Sequence, residues 1–552
     1  MVFKEIMLRV IDLFCGAGGF SEGFRHAGFD VIWAVDIWQP AVTTHHQNHP
    51  ASNTVLGDVE KIANLPDEEF HRVVPDSEII IGSPPCVDFS NSNKSGKADK
   101  SKGIRLVEAF FRIVARKKYK RDSVLKYWIL ENVPNAEPHI EIEYSAQSLN
   151  LTNLEEKFPL KVKFLSSHIY NAQYFGVPSK RVRFICGDFP EPEPTIKSDA
   201  NLIHLDYVLR ELGTPLLNPE RVVTDPNYDF QMLSGDMTDH HYVQELAEFI
   251  WQKAKRLKLD KGYMGKMSFP ENVNRPARTI MATMSLGARE SMIFGFGENR
   301  FRAPTIREVA SLMSFPIDYR FYGESVGLKY QLIGNAVPPK MAFAFAKAIA
   351  QKENLPIPDN YGPLNFENND GVFKNLNWHI IPIREEKPKL PKARFKYHIP
   401  YLIIKRYRVE LTNHHSDFEN KNFRWDVEIH YSQGPQAKMF KPVYSAKWFS
   451  DEILSEIKLF IKKENTETIN ARTFQEIYCL PEILRKKEKL LGPMELLGDA
   501  KSFLATLHVD QTDVVKIEEK NKVVEIPIII AIGYFVLSEI VSQINQEEVI
   551  YE

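Results

Sequence analysis

Three short segments of this 552-residue chain carry side chains whose types and spacing can do chemistry. The first is DLFCGAGGF, Asp12–Phe20, where Gly16, Gly18 and Gly19 permit a tight turn and close approach of backbone to a ligand. The next apolar segment, WAVD, ends at Asp36, a carboxylate placed to take two hydroxyls of a ribose. Asp58, in LGDV, follows a further short apolar segment and can accept a hydrogen bond from an adenine amino group. Glycines alone would also suit an ordinary strand-to-helix turn. No Lys-Ser/Thr follows them, which disfavours a phosphate cradle of the P-loop kind. With the two acidic residues, the set points to a nucleoside-bearing cofactor rather than a dinucleotide.

The second segment is IIIGSPPCVDFS, Ile79–Ser90. Three isoleucines make a buried strand, and Pro84-Pro85 stiffens its exit, so Cys86 sits on a loop at the carboxyl end where α/β sheets hold ligands. A lone cysteine is ordinarily an inert core residue. A rigid, polar loop is a poor place to bury one. The third segment, WILENVPN (Trp128–Asn135), delivers Glu131 and Asn132 to the same edge. A glutamate at a strand exit is ordinarily solvated. Beside a thiol and a nucleobase pocket it can instead be held partly protonated and donate to a ring nitrogen.

These groups need a scaffold, and from Leu8 to about Pro190 short apolar runs alternate with amphipathic stretches, as in a doubly wound α/β sheet. Leu8–Phe14, Val31–Val35, Ile79–Ile81, Tyr127–Leu130 and Val182–Cys186 are expected as strands, Phe20–Ala27 and Leu106–Val114 as helices. From Glu191 to about Asn274 the pattern blurs, with a helix expected over Tyr242–Leu257. Order returns from Arg275 to about Ala350 and ends in the apolar helix Met341–Ala350. The Pro-rich stretch LPIPDNYGPLNFENNDG reads as a linker, over 353–374. Beyond it, strands at Tyr401–Leu411 and Trp425–Tyr431 precede Lys/Glu-rich helices, which makes 375–552 a separate α+β domain. Lys387–Arg408 interleaves Lys and Arg with Phe and Tyr, a pattern that suits phosphate contact plus stacking and equally suits a strand with a solvated basic face.

Composition narrows the classes. At 43% hydrophobic and 26% charged residues the chain is globular, long enough for about three domains. Its 4 cysteines, Cys15, Cys86, Cys186 and Cys479, form no C-x-x-C pair, which argues against a zinc knuckle or disulfide framework and for a reducing, cytoplasmic setting. The N-terminus lacks the apolar core of a signal peptide, and the longest apolar run, Ile526–Leu537, is too short to span a bilayer, so no membrane role is expected. Lys+Arg (70) and Asp+Glu (72) nearly cancel, so contact with nucleic acid has to come from local basic surfaces. His240-His241 and His414-His415 lack Cys or carboxylate partners at ligand spacing, and no metal site is expected.

In order and wording these segments resemble the C5-cytosine DNA methyltransferase family. DLFCGAGGF is similar to its first motif, GSPPCVDFS to the nucleophile loop and ENV to the glutamate motif. NAQYFGVPSKRVRFICG, Asn171–Gly187, is similar to the paired-arginine motif, followed by RPARTI with APTIREVASLMSFP and by YQLIGNAVPP. The resemblance covers about 8–350 and departs from the family at Val87-Asp88, where Gln-Gly is common, and at Ser179, where Gln is usual. Both departures lie in loops that close on DNA, which puts kinetics and context preference in doubt rather than the reacting groups.

The resemblance implies a Rossmann-like methyltransferase domain (1–190 and 275–352) that takes S-adenosyl-L-methionine. The cofactor is expected on Phe14, Gly16, Gly18, Gly19, Phe20, Asp36, Ile37, Asp58, Val59, Pro84, Asn335 and Ala336. It assigns Cys86 the attack on C6 of cytosine, Glu131 the holding or protonation of N3, and Arg183 with Arg181 the O2 side or the ordering of the loop. The substrate implied is double-stranded DNA with its target base flipped out, base-sequence recognition falling at about 191–274. The loop NSNKSGKADKSKG reads as a cationic lid over the DNA backbone. A prokaryotic restriction–modification or related defence system, with possible restriction or defence subunits as partners, is the setting implied by analogy. An RNA cytosine methyltransferase and a catalytically silent DNA-binding subunit are the rivals. The intact Cys86, Glu131 and Arg183 argue against the second.

Overall fold

The apolar runs of the first 190 residues become the strands of one sheet. β1 (Arg9–Leu13), β2 (Asp30–Asp36), β3 (Asn53–Leu56), β4 (Ile79–Gly82) and β5 (Tyr127–Asn132) run parallel. β6 (Glu143–Tyr144) and β7 (Leu160–Lys161) form a small ladder, and β8 (His168–Asn171) and β9 (Val182–Asp188) then extend the sheet antiparallel. The order of the seven strands is β3-β2-β1-β4-β5-β9-β8. Alternate residues enter two separate core layers, as the two-residue period of a strand requires: Val10, Ile79, Ile81, Ile129 and Ile185 on one face, Ile11, Leu13, Ile80, Leu130 and Phe184 on the other.

This computed structural model describes residues 7–546 apart from 86–88, 90–99, 215–217, 219, 241, 260–266, 284, 365, 367–378, 382–386, 401, 433–436, 444–447, 465–468, 511–512 and 520–521. The chain divides into two units, Met1–Leu246 with Ser268–Ile383, and Ala247–Met267 with Arg384–Glu552. The stretch 191–274 is therefore shared out, its residues 247–267 belonging to the second unit.

In the first unit the helices are α1 (Gly19–His26), α2 (Gln39–Asn48), α3 (Val59–Ala63), α4 (Asp67–Val73), α5 (Ser101–Lys118) and α6 (Leu205–Leu212). β10 (Val222–Thr224) and β11 (Gln231–Leu233) make a hairpin, and β12 (Tyr242–Gln244) precedes α7 (Glu248–Leu259), which belongs to the second unit. The hairpin β13 (Phe294–Gly297)–β14 (Arg300–Arg302) is followed by α8 (Ile306–Leu312), α9 (Val326–Asn335), α10 (Pro339–Lys352) and β15 (His379–Ile381). Phe20 and Phe24 of α1 share a core layer with Met341 and Phe345 of α10, while α5 covers the opposite face through Val107, Phe110 and Val114.

Two expectations change here. Tyr242–Leu257 is not one helix: its first residues form β12, which pairs in parallel with β15, a partner that local periodicity cannot reveal. The stretch expected as a linker is, in its first part, packed onto the first unit. Leu355 and Ile357 lie on the α1–α10 layer, Tyr361 is buried with its hydroxyl donating to Asp318, and the Leu364 amide donates to the same carboxylate. Among the described residues, no helix is long and apolar enough to cross a membrane.

The second unit is α+β. β16 (Lys396–His398), β17 (Tyr407–Thr412), β18 (Asp426–Tyr431) and β19 (Lys438–Phe440) form an antiparallel sheet in that order. Four helices follow: α11 (Asp451–Lys463), α12 (Ala471–Cys479), α13 (Glu482–Lys487) and α14 (Pro493–Thr506). The hairpin β20 (Val514–Glu519)–β21 (Lys522–Pro527) leads into α15 (Ile528–Ile544). Val409, Leu411, Val427 and Ile429 pack with α15 in the core of this unit. The strand expected over Tyr401–Leu411 starts only at Tyr407, because Ile404 and Tyr407 close a turn in which Lys405 and Arg406 have positive φ. The apolar run from Ile526 is likewise divided at Pro527, which ends β21 and caps α15.

Candidate functional site

The glycine loop leaves β1 through Phe14 and Gly16, both at positive φ, and is closed by the Gly18 amide donating to Cys15 O at 2.9 Å. A Cβ at position 19 would collide with the carbonyl oxygen of Val337, and one at position 18 would stand 2.5 Å from the Tyr319 hydroxyl. Glycine is thus needed at 18 and 19 for packing against the closing motifs. A Cβ at 16, in contrast, meets nothing within 4 Å. The loop is open on that side, the side a ligand cradle would use.

Asp36, at the end of β2, accepts from the Gly16 amide through Oδ2 and from the Trp38 amide through Oδ1, each at 2.9 Å. Burial pushes its carboxyl up, against the pull of these amides. The Ile37 amide adds to the same pull. Next to it Ile37 is 67% exposed, a free apolar side chain at the lip. Asp58 caps α3, its Oδ1 accepting from the Glu60 amide at 3.0 Å, and Val59 is buried beneath it. Asn335 is exposed at the end of α9 and Ala336 is buried, one residue before the Val337 carbonyl that covers Gly19. Phe14 packs on the core, and the Phe20 ring is buried in the α1–α10 layer rather than turned to the cradle.

Under the loop lies a polar chain that the sequence did not signal. Ser21 donates to Asp12 Oδ2 at 2.6 Å, and His45 bridges Ser21 and Thr54 at 3.0 and 2.8 Å. Asp12 Oδ1 is buried without a hydrogen bond, and burial pushes this carboxyl up to about 7.

Glu131 stands at the end of β5, buried, with Ser83 Oγ donating to Oε2 at 2.6 Å and Arg183 Nε 2.8 Å from Oε1. Asn132 donates to the carbonyl of Pro84 at 3.1 Å, tying the exit of β5 to the exit of β4. Arg181 is placed differently. It is 2% exposed and donates to the carbonyls of Ile280 and Gly334 at 3.3 and 3.1 Å, so it holds the closing motifs against β9. Ser83, absent from the expected set, is the added member. Cys86 and most of the expected lid lie outside the described residues, and Ser101–Gly103 of that lid form the first turn of α5. Cys15 and Cys186 are buried, which pushes both thiols up and away from the reactive thiolate form.

The remaining expected groups are mostly paired. His240 is buried, bonded to Thr305 Oγ1 and Gly213 O, and burial pushes it down to about 4. In the basic-aromatic stretch Lys392 pairs with Glu419, while Lys396 and Arg408 both reach Glu410.

The sequence has counterparts among known proteins. The family model for C-5 cytosine-specific DNA methylase matches residues 8–351. The chain is 28% identical over 359 residues to the Type II methyltransferase M1.HphI of Haemophilus parahaemolyticus, covering 62% of this chain and 86% of that protein. Over 394 residues it is 29% identical to M.NgoFVII of Neisseria gonorrhoeae, covering 67% and 93% of the two chains. A putative type II methyltransferase of Methanocaldococcus jannaschii, M.MJ0563P, is 29% identical over 354 residues, which is 62% of this chain and all of that one.

Proposed function

The chain belongs to the C-5 cytosine-specific DNA methylase family, and from that premise we propose that it adds a methyl group to C5 of a cytosine flipped out of duplex DNA. It is a DNA (cytosine-5-)-methyltransferase. The type II names of its relatives support a role in prokaryotic restriction–modification or a related defence.

The reaction needs a nucleophile at C6, because cytosine C5 is too poor in electrons to take a methyl group unaided. Cys86 supplies it: the Sγ–C6 bond forms and electron density moves to C5. Glu131 holds N3 as charge builds on the ring, kept in position by Ser83 and by the Arg183 guanidinium at 2.8 Å. Arg183 also borders the O2 side of the base. S-adenosyl-L-methionine, when bound, supplies the methyl group. The open side of Gly16, the amide-anchored Asp36, the exposed Ile37 and Asn335 fit its nucleoside, with Asp58 beside the adenine. Solvent water then takes the C5 proton, the C5–C6 double bond re-forms as the Sγ–C6 bond breaks, and the Cys86 thiolate departs, leaving 5-methylcytosine. Base recognition is assigned to about 191–274, of which residues 247–267 belong to the second unit.

The observation that carries this reading is the Glu131 carboxylate held by both Ser83 and Arg183 at the strand edge from which the Cys86 loop departs. Duplex DNA containing 5-fluorocytosine tests it, since fluorine at C5 cannot leave as a proton. The wild type should be trapped covalently in the presence of cofactor, and Cys86→Ser should give neither adduct nor methylation. Turnover by the serine variant, or trapping on RNA in preference to DNA, would overturn it. Bisulfite sequencing of DNA from an expressing host gives the target site.

A further inference from the structure

In the second unit, β17 and β18 put two glutamates directly opposite each other, Glu410 facing Glu428 across the antiparallel pair. Like charges in that relationship repel, and here both are nearly out of water, at 6% and 5% exposure. A strand pair that needed only a polar face would not place them so. His430, on the same face of β18, brings Nε2 to 2.8 Å from Glu428 Oε2 and 3.2 Å from Glu410 Oε2. The three ligand atoms lie within 4.8 Å of one another. One imidazole nitrogen carries at most one hydrogen and cannot serve two carboxylates fully. Glu410 Oε2 is buried and receives no hydrogen bond.

The structure assigns a divalent transition-metal site to Glu410, Glu428 and His430. Tetrahedral coordination at about 2.1 Å sets neighbouring donors about 3.4 Å apart, so slight spreading of the present contacts admits an ion. One imidazole nitrogen and two carboxylate oxygens favour zinc or a similar borderline cation over magnesium or calcium, which take oxygen alone. A supporting shell is in place: Arg408 donates to Glu410 Oε1 at 2.6 Å and orients that carboxylate. The nearby lysines are replaceable. Lys396 and Lys441 reach the glutamates at 3.4 and 3.3 Å on half-exposed stems, and Lys441 also has Asp426 at 3.5 Å to hold it when it yields. Three protein ligands leave one position open to water or an anionic oxygen. The adjacent His414-His415 pair attracts attention in the sequence, but the strand register selects His430.

The test uses the full chain, without a metal-binding tag and stripped by a chelator, titrated with Zn²⁺ and with Co²⁺. One ion per chain is expected, cobalt giving visible ligand-field bands of nitrogen and oxygen donors without a thiolate charge-transfer band. Glu428→Gln and His430→Gln should each weaken binding about ten- to a hundredfold, with circular dichroism unchanged. Lys441→Met, which leaves all three ligands in place, should tighten binding several-fold by removing a competing cation. Failure of the wild-type chain to take up a stoichiometric ion would overturn the assignment in favour of a plain ion-pair network. So would a cobalt–thiolate spectrum, undiminished uptake by His430→Gln, or no gain in Lys441→Met.

Discussion

Glu131 and Arg183 meet diagonally across two strands: Glu131 of β5 faces Ile185 of β9, and Arg183, one pleat further along β9, brings Nε to 2.8 Å from Oε1. Because alternate residues share a face, the same register sends Ile185 and Ile129 into the core and leaves the ion pair at the edge.

Glu131→Gln should lower methyl transfer by about 10²–10⁴-fold, the usual worth of a positioned acid–base group, while cofactor affinity stays unchanged. Arg183→Lys should fall between the variant and the wild type, since an ammonium keeps the charge but loses the planar fork. Single-turnover rates on duplex DNA check both, and wild-type turnover by Glu131→Gln would remove it from the reaction.

Asp36→Ala should weaken S-adenosylmethionine binding by about 1.5–3 kcal/mol per lost hydrogen bond, about ten- to a hundredfold or more. Calorimetry on the variant gives the number. Unchanged affinity would mean that the carboxylate serves the Gly16 and Trp38 amides alone.

Two neighbouring glycines should fail in different ways. Gly19→Ala pushes a methyl into the Val337 carbonyl and should lower stability by about 1–3 kcal/mol, seen as a lower melting temperature. Gly16→Ala has space around it but a φ of 53°, so it should cost about 1–2 kcal/mol in strain and chiefly impair cofactor binding. If both variants melted and bound alike, the cradle would not lie on the Gly16 side.

The contribution of Asp12 to stability should fall as pH rises from about 4 to about 7, against His26 and the buried His240, whose lowered values act in the opposite direction. In the folded chain this carboxyl keeps its proton up to about 7, against an ordinary value of 3.8, because burial outweighs the Ser21 hydrogen bond. Between those values the folded chain binds more protons than the unfolded one, so this contribution declines with pH, by at most about 1.4 kcal/mol per pH unit, and is constant above. Asp225 and Asp318, also pushed up by burial, act in the same direction. The check is therefore a difference: Asp12→Asn should shift the slope of denaturation free energy against pH, from about pH 4 to about 7, in the positive direction relative to the wild type. Parallel slopes would assign the titration elsewhere.

Much of the catalytic unit is legible in its sequence because its determinants are local. Continuous runs such as Ile79–Ile81 mark doubly buried strands, and the glycines followed by Asp36 mark a turn whose Gly16 amide meets that carboxylate. What escaped depends on distant partners. β12 is a strand because of β15, and Tyr361 anchors a Pro-rich stretch through Asp318, a residue composition cannot connect to it. The paired arginines look equivalent in the sequence, yet only the structure gives Arg183 to Glu131 and Arg181 to the carbonyls of Ile280 and Gly334. Ser83 gives no signal beyond its place in GSPP.

The packing of α1 beneath α10 bears on how the protein is made. Gly19 lies against Val337, and a Cβ at Gly23 would collide with Ala342, so the turn after β1 is shaped to a surface that the ribosome supplies some three hundred residues later. Until that segment emerges, Phe20 and Phe24 have no Met341 or Phe345 to cover them, and the nascent chain offers this apolar face to chaperones. A chain ending before Val337 would lack the surface that covers Phe20 and Phe24. Modification of DNA begins only with chains whose translation has passed that point.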